Sequence, residues 1–226
     1  MNAAEHPLTR SVEDYLKAIY HLSLDGQAAS TSAIAQALDL APPSVSGMIR
    51  RLSDLGLLEH VPYRGVALTD EGRRAALRMV RRHRIIEAYL VARLGYSWDS
   101  VHEEAERLEH AVSDELIERM AGALGNPQFD PHGDPIPDVH GRIEELLYIP
   151  LSEVDVGETV EIHRVDTGHA ERLRYLSDTG LTPGTIIKVM GRQPFNGPLT
   201  IDREGHSQII GHELARLLLC VRPVGR

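Results

Sequence analysis

Residues His102 to His110 read His-Glu-Glu-Ala-Glu-Arg-Leu-Glu-His. On an α-helix of about 3.6 residues per turn, positions i, i+4, i+7 and i+8 share a face. His102, Glu106, Glu109 and His110 would therefore point to one side. A second imidazole–carboxylate pair, His83 and Glu87, has the i, i+4 spacing in the preceding helical segment. Imidazole and carboxylate without thiolate suit a borderline-to-hard divalent ion such as manganese(II) or iron(II). One such pair alone is ordinarily a solvated acidic face. Six donors on two neighbouring helical segments read instead as a metal-binding centre.

The elements that must position these side chains follow from the apolar periodicity. Residues 11–24 carry Val12, Tyr15, Leu16, Ile19 and Tyr20 at helical spacing, and Asp25-Gly26 ends the run. Residues 31–40 repeat the pattern with Ile34, Ala35 and Leu38. After Ala41-Pro42-Pro43, residues 44–55 turn Val45, Met48, Ile49 and Leu52 inward, and Gly56 is a natural C-terminal cap. Two short helices joined by a tight turn fit a helix-turn-helix. Residues 57–61 and 65–68 alternate weakly around Pro62-Tyr63-Arg64, which reads as a small hairpin, the wing of a winged helix. Thr69-Asp70-Glu71-Gly72 then starts a long helix to about Leu94, and helices over about 98–112 and 113–125 follow.

The outward face of the second short helix is unusual. Pro43, Ser44, Ser46, Gly47, Arg50 and Arg51 are small or basic where a solvent face is ordinarily rich in Glu and Lys. Small residues let a helix approach base edges, and arginines reach phosphates. Arg64 on the wing joins this DNA-facing set. An αα corner with no DNA role is the alternative, and the wing argues against it. The net charge of −9 does not exclude nucleic acid. Acidic residues are concentrated at the metal cluster, while Arg50, Arg51, Arg64, Arg73, Arg74, Arg78, Arg81, Arg82 and Arg84 gather in the first part of the chain.

Residues 126–138, with Pro127, Pro131, Pro135 and Pro137, read as a linker, since that proline content suits neither a packed helix nor a central strand. Residues 142–151 read as a last helical turn and lead-in segment. From Ser152 the pattern changes to short alternating runs at 157–162, 185–189, 199–201, 207–210 and 217–221, with a short helix over 170–179. That pattern predicts a small antiparallel barrel of SH3-like type. The fold class is thus mainly α with a small all-β C-terminal domain. A winged helix-turn-helix occupies 1–74, a helical dimerisation and metal-binding domain 75–150, and the barrel 151–226.

With 226 residues and 42% hydrophobic content the chain can build these cores, chiefly from aliphatic side chains, because only 4% is aromatic. The single cysteine, Cys220, rules out a disulfide framework and a thiolate zinc site, and its apolar neighbours suggest a buried, inert thiol. No stretch approaches the roughly 20 apolar residues of a membrane span. Glu5, His6 and Pro7 precede any apolar run, so no signal peptide is read and a cytoplasmic location is expected.

Taken in order, the winged helix, the His83/Glu87 pair, the His102–His110 cluster, the Pro135-Ile136-Pro137 segment and the terminal barrel resemble the diphtheria toxin repressor family of metal-dependent transcriptional regulators. The resemblance covers nearly the whole chain and is most specific over 101–115. It implies a homodimer that binds palindromic double-stranded operator DNA when loaded with Mn2+ or Fe2+, other divalent metals substituting in vitro. It implies control of metal homeostasis, with repression of uptake, and no organic cofactor, membrane partner or enzymatic activity. The barrel then corresponds to a FeoA-like domain.

Carried over residue by residue, the resemblance makes Asp14, Glu106, Glu109 and His110 a primary metal site. His83, Glu87 and His102 become an ancillary one. Iron-responsive members carry Met where Asp14 stands and Cys where Glu106 stands. Carboxylates at both places resemble the manganese-responsive branch, and replacing soft sulfur by oxygen favours a harder ion. Manganese-responsive members can carry a glutamate one turn after the aspartate, where this chain has Lys17. A protonated lysine does not ligate, so two separate sites, or one site and a structural one, are implied. In the iron branch a Glu and a Gln of the barrel complete the ancillary site. Those places fall near Ala170 and Leu173, leaving Glu171 as the candidate, with Asp166 and His169 behind it.

Two readings from other classes stand beside this one. Carboxylate-bridged di-metal enzymes use a Glu-x-x-His pair on each of two helices. Here Glu106 is followed at i+3 by Glu109, and His102-Glu103 does not continue into His-Glu-x-x-His. A regulator sensing an organic ligand is the other, and the low aromatic content gives it little to bind a ring.

Overall fold

The structure is a computed structural model that describes residues 8–24, 26–143 and 146–223. The chain divides into two compact units, one of residues 1–83 with 137–142, the other of 84–136 with 143–226.

In the first unit, α1 (Arg10–Leu22) buries Val12, Tyr15, Leu16, Ile19 and Tyr20, one stripe at helical spacing. The predicted stop at Asp25 lies outside the described residues. Helix α2 (Thr31–Ala37) is capped by Ser30, whose hydroxyl accepts the Ala33 N–H at 3.1 Å. Helix α3 (Pro42–Asp54) has prolines in its first turn, where no N–H is needed, and buries Val45, Ile49 and Leu52. Strands β1 (Leu58–Val61) and β2 (Gly65–Leu68) pair antiparallel with Val61 opposite Gly65, so Pro62, Tyr63 and Arg64 form the tip of the wing. Ala29 bridges to Val66 and anchors the wing to the helices. A Cβ at Gly65 would lie 2.1 Å from the Ala29 carbonyl oxygen, so only glycine permits this approach.

Helix α4 (Asp70–Leu94) crosses the boundary between the units. Its C-terminal part supplies Ile85, Ile86 and Leu90 to the core of the second unit. Val101 and Ala105 of α5 (Val101–Leu108), Ile117 and Ala121 of α6 (Asp114–Ala123) and Ile136 complete that core. Helix α5 is shorter than the 98–112 expected from the sequence. Ser97 and Ser100 form a turn before it, with the Ser100 N–H donating to the Ser97 carbonyl at 3.1 Å. After Leu108 the chain closes in a turn and enters extended backbone at Ser113, the N-cap of α6.

The barrel is a six-stranded antiparallel sheet in the order β3-β8-β4-β5-β6-β7. These are β3 (Ile149–Pro150), β4 (Thr159–Val165), β5 (Ile186–Arg192), β6 (Leu199–Arg203), β7 (His206–Ile210) and β8 (Leu218–Val221), with α7 (Ala170–Asp178) between β4 and β5 and a short α8 (His212–Ala215) before β8. Its core is aliphatic, with Val160, Ile162, Leu176, Val189, Ile201 and Leu218 fully enclosed. Residues 142–151 correct the sequence reading. Among their described members before Leu151 no helical turn forms; Ile149 and Pro150 pair with Cys220 and Leu219, and a 3-10 turn begins at Leu151. An edge strand tolerates Pro150, because the N–H it lacks would face away from the sheet.

Residues 126–138 correct it too. The segment is neither helix nor central strand, as expected, but it is no loose linker. The Ile136 N–H donates to Gln128 O at 2.7 Å and Phe129 bridges to Pro135. Asp130 Oδ1 accepts the N–H groups of His132 at 2.8 Å and Asp134 at 2.9 Å. The prolines remove donors, and the Asp130 carboxylate replaces the missing order from within.

Candidate metal centre and DNA-facing surface

Glu87 lies in the middle of α4 and is 2% exposed. Its two carboxylate oxygens face two imidazoles: Oε1 is 3.2 Å from His102 Nδ1, and Oε2 is 3.8 Å from His132 Nδ1. His83 stands one turn earlier on α4 and is buried. His102 opens α5, half in solvent, and its Nε2 is 3.7 Å from Glu106 one turn on. The sequence reading grouped Glu106 with Glu109 and His110; the structure brings its carboxylate to His102. Helix α5 ends at Leu108, and the Glu109 N–H still donates to the Ala105 carbonyl at 2.9 Å. Glu109 and His110 follow in the closing turn, where Glu109 is fully buried and its carboxylate is 3.4 Å from His110 Nε2. Asp14 is half-buried on α1 of the first unit, three residues before Lys17. Glu171 is exposed in the first turn of α7 and belongs to none of the groups of convergent donors found among the described residues.

Glu87, Asp130 and His132 form such a group, with one donor atom from each within 4.8 Å of the others and all three side chains buried. Sequence reasoning missed Asp130 and His132 because they lie in the proline-rich segment. An Asp and a His two apart beside Gly133 were the signal available. The His132 ring shows what the group can do. Its Nε2 lies 2.7 Å from the carbonyl oxygen of Trp98, an atom that only accepts, so the ring N–H is on Nε2. In the neutral ring Nδ1 then keeps its lone pair, and that lone pair faces the Glu87 carboxylate at 3.8 Å. A lone pair and a carboxylate facing each other in a buried place are donors that a cation can use. A ring nitrogen whose partner N–H is fixed by a backbone carbonyl is also the usual arrangement of a metal-ligating histidine.

Charge balance agrees. Burial pushes the Asp130 carboxyl well above the usual carboxylate range, with Asp134 and Glu87 adding repulsion and Arg84 opposing it. Arg84 is itself buried. Its guanidinium lies 3.8 Å from Asp130 Oδ2 and 3.2 Å from Asp134, and it donates to the Pro135 carbonyl. Arg164 also holds Asp134, at 3.0 Å. Three carboxylates, Glu87, Asp130 and Asp134, thus face two arginines, with Arg84 shared between Asp130 and Asp134, and the cluster carries an excess of negative charge. Imidazole and carboxylate donors fit manganese(II) or iron(II).

The residues expected to face DNA lie on the first unit. Pro43, Ser44, Ser46, Gly47, Arg50 and Arg51 are all exposed on α3, opposite its buried Val45, Ile49 and Leu52. A Cβ at Gly47 would meet nothing within 4 Å, so no packing inside the described chain requires a small residue there. Arg64 is exposed on the wing beside the fully exposed Tyr63. Among the described residues no helix is long and apolar enough to cross a membrane.

Comparison with known proteins agrees with this layout. Residues 7–66 match the iron dependent repressor N-terminal DNA binding domain, residues 69–138 the iron dependent repressor metal binding and dimerisation domain, and residues 149–222 the FeoA domain. The iron-dependent repressor IdeR of Mycobacterium bovis is 31% identical over 221 residues, covering 92% of this chain and 95% of its own. The diphtheria toxin repressor of Corynebacterium glutamicum is 30% identical over 219 residues, covering 92% and 94%. Among solved structures, a manganese-dependent transcriptional repressor complexed with manganese superposes with a TM-score of 0.83 at 38% identity, over 93% of this chain and 99% of that one. The manganese regulator SloR gives 0.74 at 32%, over 95% and 100%. The chain belongs to the diphtheria toxin repressor family of metal-dependent transcriptional regulators.

Proposed function

We propose that this protein is a manganese(II)-activated repressor that binds palindromic operator DNA as a homodimer in the cytoplasm and limits metal uptake, with no catalytic activity. The observation that carries the choice of metal is the donor chemistry. The Glu87, Asp130 and His132 group offers oxygen and imidazole only, and the sole cysteine lies in the barrel core. Iron(II) is the second reading, favoured by the iron-dependent repressors to which the chain is similar.

Two sites are proposed. One uses Asp14, Glu106, Glu109 and His110, on the strength of the family resemblance and of a fully buried Glu109 carboxylate beside an imidazole. The other is centred on Glu87 with His132 and Asp130, with His102 and His83 on its α4–α5 side. Glu171 is the barrel residue nearest in sequence to the family's ligand positions. A bound divalent cation supplies the positive charge that turns carboxylate repulsion into attraction. Asp14 belongs to the DNA-binding part and Glu109 to the dimerising part, so a shared ion would favour one arrangement of the two recognition helices. Successive major grooves are about 34 Å apart, and only a fixed arrangement meets both. Pro43, Ser44, Ser46 and Gly47 would then approach bases, while Arg50, Arg51 and Arg64 reach phosphates. The proposed functional parts are 1–74, 75–150 and 151–226.

The test is Mn2+ binding by full-length protein, read from the electron paramagnetic resonance signal of the free aqua ion. Two Mn2+ per chain, one of them lost in Asp130→Asn, is the expected result. No binding at millimolar Mn2+ would overturn the reading.

A further inference from the structure

The tip of the wing holds a side chain in a conformation that its type disfavours. The Arg64 N–H donates to the Val61 carbonyl at 3.0 Å, which closes a four-residue turn with Pro62 second and Tyr63 third. Tyr63 has φ +62°. Proline followed by a positive φ is the type II pattern, whose third position ordinarily belongs to glycine or asparagine. A tyrosine there is strained, because its Cβ crowds the backbone. The ring gains no packing in return, since it is fully exposed. The strands below the turn are pinned. Val61 pairs with Gly65, and Ala29 exchanges both backbone hydrogen bonds with Val66, at 2.9 and 3.0 Å. Strain retained with no packing inside the described chain points to a partner outside it.

We infer that the Tyr63 ring is itself a DNA contact, packing on the sugar–phosphate backbone beside Arg64. The inference rests on the reading of α3 and the wing as DNA-facing. Residues 7–66, which match a DNA-binding domain, include the wing, and Pro62, Tyr63 and Arg64 are exposed together at its tip. Deoxyribose presents C–H groups and phosphate presents acceptor oxygens. Tyrosine offers an apolar ring and a hydroxyl donor, which match both. A base is a poorer partner, because stacking on it first requires unstacking the duplex. The contact therefore carries no sequence information and no charge. Arg64 supplies the charge, and Tyr63 supplies apolar area on a turn whose backbone freedom is already spent. Phe195 is the matched case away from the wing. It is fully exposed with φ +59° at the tip between β5 and β6 of the barrel.

The experiment uses the full-length protein, Mn2+ and two duplexes, one from upstream of its own coding sequence and one unrelated of equal length. Tyr63→Gly is expected to raise Tm by about 2–4 °C as the strain is relieved. It is expected to weaken binding to both duplexes by about tenfold. The slope of log K against log salt should keep its wild-type value, whereas Arg64→Ala should lower it by about 0.9. Tyr63→Asn keeps a residue that tolerates positive φ and removes the ring, so it should lose the same affinity. Phe195→Gly should raise Tm and leave DNA binding unchanged. Full affinity in Tyr63→Gly, while the wild-type protein binds both duplexes, would overturn the ring contact alone. So would a slope lowered as in Arg64→Ala, which would make Tyr63 only a support for Arg64, or an equal loss of affinity in Phe195→Gly. No wild-type binding to either duplex, with Mn2+ or without, would overturn the DNA reading of this face and the contact together. If Tyr63→Gly does not fold, Tyr63→Asn decides by the same affinity and slope.

Discussion

His132 Nε2–H donates a hydrogen bond to the Trp98 carbonyl at 2.7 Å, and its Nδ1 faces the buried Glu87 carboxylate. A side chain that served only to fill space would not need its tautomer fixed in this way. His132→Ala is therefore expected to remove one Mn2+ per chain while leaving the dimer intact. Metal stoichiometry and sedimentation check both. Full retention of binding would mean that the ring is structural.

Gly47 is exposed on α3 with open space where a side chain would stand. Gly47→Ala should raise stability by about 0.5–1 kcal/mol, because alanine loses less conformational freedom in a helix. The same change should weaken operator binding if this face approaches bases. Thermal unfolding and DNA titration on one preparation would show the two effects moving in opposite directions. A gain in stability with unchanged DNA affinity would remove Gly47 from the interface.

Arg51 is exposed near the C-terminal end of α3 and is assigned a phosphate contact. Loss of one such contact lowers the slope of log K against log salt by about 0.9. Arg51→Ala should show that change on any DNA sequence, with metal affinity in the absence of DNA unaltered. An unchanged slope would reject the contact.

Cys220 lies in β8 within the barrel core, and burial pushes its thiol up to about 12 from an ordinary value of 9.0. The thiolate is the reactive form, so at pH 8 native protein should react with a thiol reagent about a thousandfold more slowly than denatured protein. Rapid labelling of the native chain would show that the barrel opens readily.

The helices of the first unit were legible because their cores follow one period, as Val12, Tyr15, Leu16, Ile19 and Tyr20 do along α1. The exposed face of α3 was legible for the converse reason, as small and basic side chains on the side left over. The metal centre was legible only in part. The types and spacing of His83, Glu87, His102, Glu106, Glu109 and His110 carried the expectation of a cation. The expected helix ran to 112, whereas α5 ends at Leu108 and the chain turns toward the Ser113 cap. Asp130 and His132 were hidden for a different reason. Proline content says which hydrogen bonds a segment lacks and nothing of what a buried carboxylate can supply instead. Pro150 misled in the same way: a residue that weakens a central strand sits without penalty on an edge.

The central claim is metal-gated DNA binding. It is tested most directly by fluorescence anisotropy of the full-length protein on DNA from upstream of its own coding sequence, titrated with Mn2+, anaerobic Fe2+, Zn2+ and chelator. Tight binding with Mn2+, little in chelator, and a lost Mn2+ response in Asp14→Ala with the dimer preserved are the predicted results. Equal binding in Mn2+ and in chelator would contradict the claim and leave the acidic and imidazole groups a purely structural role.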